Sequence, residues 1–156
     1  MRILGVDPGS KRIGYGLLTS EGGSLRAVEW GTLEIRGKLG GELKTLGEAF
    51  RSLVTRLKPE CAAVERLYFA KNKKTALAVS EARGVLCFIL LERGIPLCEL
   101  HPMEIKQSVT NYGLSDKRAV AKMVGKILGL DEVGEYDDAS DALAAAITAS
   151  SLRRFG

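Results

Sequence analysis

Four carboxylates, far apart in the chain, stand where secondary-structure elements begin or end. Asp7 closes the apolar run ILGVD, Glu65 closes CAAVE, and Asp138 and Asp141 open the stretch DASDALAAAI. A buried strand has no structural need for a terminal carboxylate. Two such strand ends beside an acidic helix start would cost several kcal/mol, on the order of one buried unpaired charge or more, unless cations intervene. The spacing of three between Asp138 and Asp141 puts both on one helix face about a turn apart. A helix-capping role accounts for Asp137 or Asp138 but not for Asp141 as well. Oxygen ligands of this kind suit Mg2+, with Mn2+ able to substitute, and a pair of such ions hydrolyses phosphodiesters in many enzymes.

Other residues extend that chemistry. After Glu65 the chain reads RLYFAKNKK, in which Tyr68 and Phe69 are followed by Lys71, Asn72, Lys73 and Lys74. Adjacent aromatics on a polar loop suit stacking on or wedging between bases, while the cations neutralise phosphates; the structural alternative is that at least one ring packs into the core. Lys106, Lys117 and Arg118 flank KQSVTNYGLSDK, where Asn111 to Ser115 form a loop near a strand at 95–100. His101, the only histidine, precedes Pro102 without Cys or His partners and reads as structural. The string DPGS around Asp7 is also a turn, and could serve as the phosphate loop of an actin-like or sugar-kinase ATPase. That rival requires a second phosphate loop and far more chain.

The elements that must position these groups follow from periodicity. Strand-like alternation predicts strands at 2–7, 12–19 and about 25–36, an antiparallel meander with Gly22–Gly23 as its second turn. From Glu42 the apolar residues Leu43, Leu46, Phe50, Leu53, Val54 and Leu57 recur at helical spacing until Pro59. A strand at 60–65, a polar loop and a long helix from about Lys74 to Arg93 come next. That helix is apolar on more than one face and so needs two partners, its own sheet and a second copy of the chain. A strand at 95–100, helices near 102–110 and 116–128, and a last helix at about 138–152 complete the set. The expected fold is α/β: a mixed five-stranded sheet, three antiparallel then two parallel strands, with helices on both faces. The small residues of ALAAAI let the last helix lie close to that sheet and bring its first turn to the strand ends.

Composition bounds the partners. One domain spanning 1–156 is expected, a size that buries roughly 70% of the surface of the unfolded chain. The net charge of +4 understates the basicity of the remaining surface if four negative charges gather at one site, a balance that fits a polyanion. Cys61, Cys87 and Cys98 form no CxxC pair and sit in apolar contexts, as reduced thiols of a cytosolic protein do. The apolar run GVLCFILL is too short to span a bilayer and the start of the chain is no signal peptide. A soluble, cytoplasmic protein with no membrane association is expected.

Four ordered segments, GVDPGSKRIGYG at 5–16, VERLYFAKNKKTALAVSEARGV at 64–85, EIKQSVTNYGLSDKRAV at 104–120 and DDASDALAAAIT at 137–148, resemble the RuvC-type Holliday-junction resolvases from end to end. The resemblance implies an RNase H-like fold and a homodimer that makes symmetrical paired cuts in opposed strands of a four-way DNA junction during recombination and repair. It places Asp7, Glu65, Asp138 and Asp141 on the metal-binding carboxylates, with two Mg2+ ions per site. Tyr68 and Phe69 fall on the junction-contacting loop, and Lys106 and Lys117 on lysines that approach the scissile phosphate. It also implies branch-migration partners of the RuvA and RuvB type. Arg12 and Ile13 depart from the usual resolvase residues, and KRIG resembles the YqgF-type RNase H-like proteins of ribosomal RNA processing. A YqgF-like RNA nuclease and a non-catalytic branched-DNA binder are the alternatives.

Overall fold

The computed structural model describes residues 1–37, 41–67, 73–131 and 138–152, with the backbone alone at 73 and 74. Its five strands are β1 (Arg2–Asp7), β2 (Arg12–Glu21), β3 (Ser24–Glu34), β4 (Cys61–Glu65) and β5 (Leu97–Leu100). They form one sheet in the order β3-β2-β1-β4-β5. The first three pair antiparallel, while β1 with β4 and β4 with β5 are parallel, as the sequence pattern predicts. Gly22 and Gly23, with φ of 57° and 88°, supply the two positive dihedrals that a tight turn between β2 and β3 requires.

Side-chain alternation divides the sheet into two faces, each covered by helices. On one face Leu4, Val6, Leu17, Ala62 and Val64 pack against α1 (Glu42–Leu57) and α2 (Lys73–Glu92). On the other, Ile3, Leu18, Cys61 and Ala63 pack against α3 (Pro102–Thr110), α4 (Lys117–Leu128) and α5 (Asp138–Ser151). Asp7 shares the parity of Ile3, and Glu65 that of Cys61 and Ala63, so both terminal carboxylates fall on the α5 side.

That face is built for close approach. A Cβ on Gly5 would lie 1.8 Å from the carbonyl oxygen of Ala142, and one on Gly16 would lie 2.6 Å from Leu143 Cδ2. Glycines on β1 and β2 and alanines on α5 thus let the helix lie directly on the backbone of the sheet. Nearly the whole of α5 from Ala139 to Ala149 is buried in consequence, the partly exposed Asp141 excepted.

Several boundaries move by one or two residues for local reasons. β5 starts at Leu97 rather than 95, since Pro96 lacks an N–H for the ladder and Ile95 N donates to Leu90 O at 3.0 Å, closing α2. α4 starts at Lys117 because Asp116 is its N-cap, extended at φ −76°, ψ 169° and accepting from Ala119 N at 2.8 Å. His101 caps α3, and its backbone N donates to Glu104 Oε2 at 2.8 Å, the structural role expected of it. No helix among the described residues is long and apolar enough to cross a membrane.

Candidate active site

The ends of β1, β4 and β5 and the starts of α3, α4 and α5 surround a cleft of about 770 Å³. Asp7, Glu65, Asp141, Lys106 and Lys117 all line it. Five residues spread over more than 130 positions of sequence are therefore brought together as expected. Asp138 lies a turn before Asp141 on α5 and close enough to act on Asp7 electrostatically, but its Oδ2 accepts from Arg12 Nε at 2.9 Å. Tyr68, Phe69, Lys71 and Asn72 lie outside the described residues, as do the side chains of Lys73 and Lys74. Arg118, beside Lys117 at the start of α4, is exposed and does not line the cleft.

The electrostatics are those of a crowded anionic site in a poorly solvated place. Burial, then the charges of Asp141 and Glu65, hold the Asp7 pKa well above its ordinary value; Lys117 opposes this and Asp138 adds to it. Glu65 is pushed up to about 7 by burial and by Asp141, against the lowering influence of Lys117 and Lys106. Burial alone would lower the Lys117 pKa, but its hydrogen bond to Asp141, with the charges of Asp141, Asp7 and Asp138, raises it overall. Lys117 Nζ stands 2.7 Å from Asp141 Oδ2.

These residues suit a hard divalent cation in their chemistry. Every anionic donor is a carboxylate oxygen, and a cation among these oxygens would relieve the repulsion from Asp141 and Glu65 that, after burial, raises the Asp7 pKa. Among the described residues no three such side chains close round one point. Two of the four are directed elsewhere, Asp138 to Arg12 and Asp141 to Lys117. These two internal cations share the charge of the acidic helix start.

Apart from His101, read as structural, sequence reasoning gave no role to several further groups of the cleft. Arg66, Leu67, His101, Pro102 and Met103 line the cleft beside the carboxylates. Arg66 Nη1 lies 3.2 Å from His101 Nε2, and Arg66 Nε donates to Glu99 Oε2 at 3.3 Å. Arg83, on α2, reaches the same Glu99 oxygen at 2.8 Å and the Glu65 carbonyl at 3.2 Å. The one signal available was a charged residue inside the apolar run of α2.

Comparison with known proteins gives the family. The family model described as crossover junction endodeoxyribonuclease RuvC matches residues 3–149. A RuvC of Chloroflexus aggregans is 45% identical over all of this chain and 99% of its own. One from Moorella thermoacetica is 43% identical over 97% of this chain and 92% of its own. Among solved structures, Thermus thermophilus RuvC superposes with a TM-score of 0.88 at 29% identity, covering 100% of this chain and 97% of that one. The same protein in complex with a Holliday junction substrate superposes at 0.90, again at 29% identity, over 100% and 96% of the two chains. Fold and sequence converge, and the chain belongs to the RuvC crossover junction endodeoxyribonuclease family, with its RNase H-like fold.

Proposed function

We propose that this protein resolves Holliday junctions, as a metal-dependent endonuclease that nicks opposed strands of a four-way DNA junction symmetrically during homologous recombination and repair. One observation carries the reading: Asp7 and Glu65 end adjacent parallel strands on the same sheet face, half-buried beside Asp141, with Lys106 and Lys117 on the cleft wall. A protein that only bound DNA would gain nothing from clustered negative charge where phosphates must come.

Asp7, Glu65, Asp138 and Asp141 are the residues that would hold divalent cations. Two per site, Mg2+ in the first instance with Mn2+ able to substitute, would supply activation of the attacking water and stabilisation of the leaving 3′ oxygen. Asp7 and Glu65, fixed at strand ends, set the rigid side of the site. Lys117 and Lys106 offset charge that builds on the phosphate in the transition state. Cleavage on this scheme leaves 5′-phosphate and 3′-hydroxyl ends, which a ligase can seal.

Paired nicks call for two sites related as the junction arms are. The outward face of α2 supports a homodimer, since Leu77, Phe88 and Leu91 are 69%, 59% and 60% exposed there. The residues 68–74 are assigned to junction contact, Tyr68 and Phe69 against bases and Lys71, Asn72, Lys73 and Lys74, with Arg118, toward the backbone. Branch-migration subunits of the RuvA and RuvB type and a cytoplasmic location complete the assignment.

Purified protein is incubated with a synthetic four-way junction in Mg2+ and in EDTA, beside linear duplex and structured RNA. Metal-dependent paired cuts that yield ligatable nicked duplex, from the junction only, are expected. Cleavage of RNA alone would move the chain to a YqgF-like activity, and binding without cleavage would leave it a branched-DNA binder.

A further inference from the structure

We propose that Arg83 and Glu99 are positioning residues that aim the Glu65 carboxylate and hold the two walls of the cleft at a fixed separation. The inference rests on the nuclease reading above. Glu65 lies one residue past the last pair between β1 and β4, Val6 opposite Val64, so the ladder on that side does not hold it. Its carbonyl oxygen accepts from Arg83 Nε at 3.2 Å. The same guanidinium donates through Nη2 to Glu99 Oε2 at 2.8 Å, which ties α2 to both β4 and β5.

Glu99 makes the connection to the opposite wall. Its Oε2 also accepts from Arg66 Nε at 3.3 Å, and Arg66 Nη1 lies 3.2 Å from His101 Nε2. Arg66 N donates to Leu100 O at 2.8 Å, so backbone and side chain of the residue after Glu65 are both held to β5. His101 is the N-cap of α3, and α3 carries Lys106 into the cleft. One chain of charge-assisted hydrogen bonds therefore runs from α2, through the strand end that bears Glu65, to the helix that bears Lys106.

Arg83 works through the backbone. The charges that act on the Glu65 carboxylate are those of Asp141, Lys117 and Lys106, and the hydrogen bond of Arg83 to Glu65 is to its main-chain oxygen. With its side chain only 20% exposed, Arg83 is held in one arrangement by packing as well as by its two acceptors. Such outer partners of metal-ligating carboxylates are worth ten- to a hundredfold in activity or metal affinity. They change turnover without changing the surface that the substrate meets.

The test compares Arg83→Met, Arg83→Lys and Glu99→Gln with the wild type in three measurements: single-turnover junction cleavage at saturating Mg2+, junction affinity in EDTA, and thermal melting. Arg83→Met is expected to cleave roughly ten- to a hundredfold more slowly with junction Kd within about twofold of wild type. Glu99→Gln moves in the same direction by less, and Arg83→Lys recovers part of the loss. If Arg83→Met does not fold, Glu99→Gln decides, since the Glu99 side chain is 42% exposed and its replacement is isosteric. Cleavage within twofold of wild type, or rate and affinity falling together in proportion, would overturn the proposal. A wild-type protein that fails to cut the junction would instead overturn the nuclease reading.

Discussion

Gly14 offers the sharpest test of how the acidic helix start reaches the strand ends. It pairs across the ladder with Asp7, and a Cβ there would stand 2.0 Å from the Asp138 carbonyl oxygen, 2.3 Å from its carbonyl carbon and 2.9 Å from its Cβ. All three atoms belong to a residue that would hold metal, and two are backbone, so no side-chain rotation relieves the clash. Contacts of a real Cβ essentially never fall below 3.0 Å, so Gly14→Ala must open at least 1.0 Å between β2 and the first turn of α5. Overpacking of this kind costs about 1–3 kcal/mol, within a total stability of about 5–15 kcal/mol, so the variant still folds. A displacement of about 1 Å at a reacting site costs on the order of a hundredfold in rate, or about 2.7 kcal/mol of transition-state stabilisation. Single-turnover cleavage of a four-way junction at saturating Mg2+ should therefore slow about a hundredfold while junction binding in EDTA persists. A Gly14→Ala protein that melts normally and cleaves within twofold of wild type would refute the claim that this close approach delivers Asp138.

Asp7→Asn should abolish cleavage and leave junction binding intact, as gel-shift and cleavage assays on one preparation would show. In EDTA, Glu65→Gln should melt distinctly higher than wild type at pH 8 and by much less at pH 5. A carboxyl whose pKa rises from 4.5 to about 7 on folding destabilises the native state as pH climbs through that window, by at most roughly 3 kcal/mol, and the penalty is constant above it. Equal melting shifts at both pH values would contradict the buried-charge account. Phe88→Asp with Leu91→Asp should convert a dimer to a monomer by light scattering and abolish paired cutting; a wild-type monomer at working concentration would remove α2 as the interface. Replacing Tyr68 and Phe69 by alanine should weaken junction cleavage with the thermal melt unchanged, and unchanged cleavage would make those rings core residues.

The strands, their pairing and the five helices were legible because each is carried by local periodicity, and the turn at Gly22–Gly23 by residue type. Asp7, Glu65 and Asp141 were legible for a different reason: a carboxylate at the end of a buried strand, or a second one in a helix already capped, has no folding role to explain it. The ion pair of Arg12 with Asp138 spans 126 positions, and the link of Arg83 to Glu99 joins a helix to a strand. Periodicity holds no information about such partners, because a long cationic side chain fits a solvated surface and a specific acceptor equally well. His101 went the other way. Its place before Pro102 at a strand end, without Cys or His partners, read as structural, and in the structure it is the N-cap of α3.

The glycines and the carboxylates answer to one geometric rule. Alternate residues of a strand face alternate sides, so Gly5 and Asp7 must share a face, as must Cys61, Ala63 and Glu65. To bring an acidic helix start onto Asp7 and Glu65, the helix has to cross the residues two and four positions earlier on each strand. Gly5 and Ala63 are small where α5 crosses, and Gly14 and Gly16 continue the track on β2. The other face is filled by Leu4, Val6, Leu17 and Val64 against α1 and α2. A slip of one residue in β1 would set Val6 against α5 and turn Asp7 toward the α1–α2 layer, so core and site stand or fall on a single register.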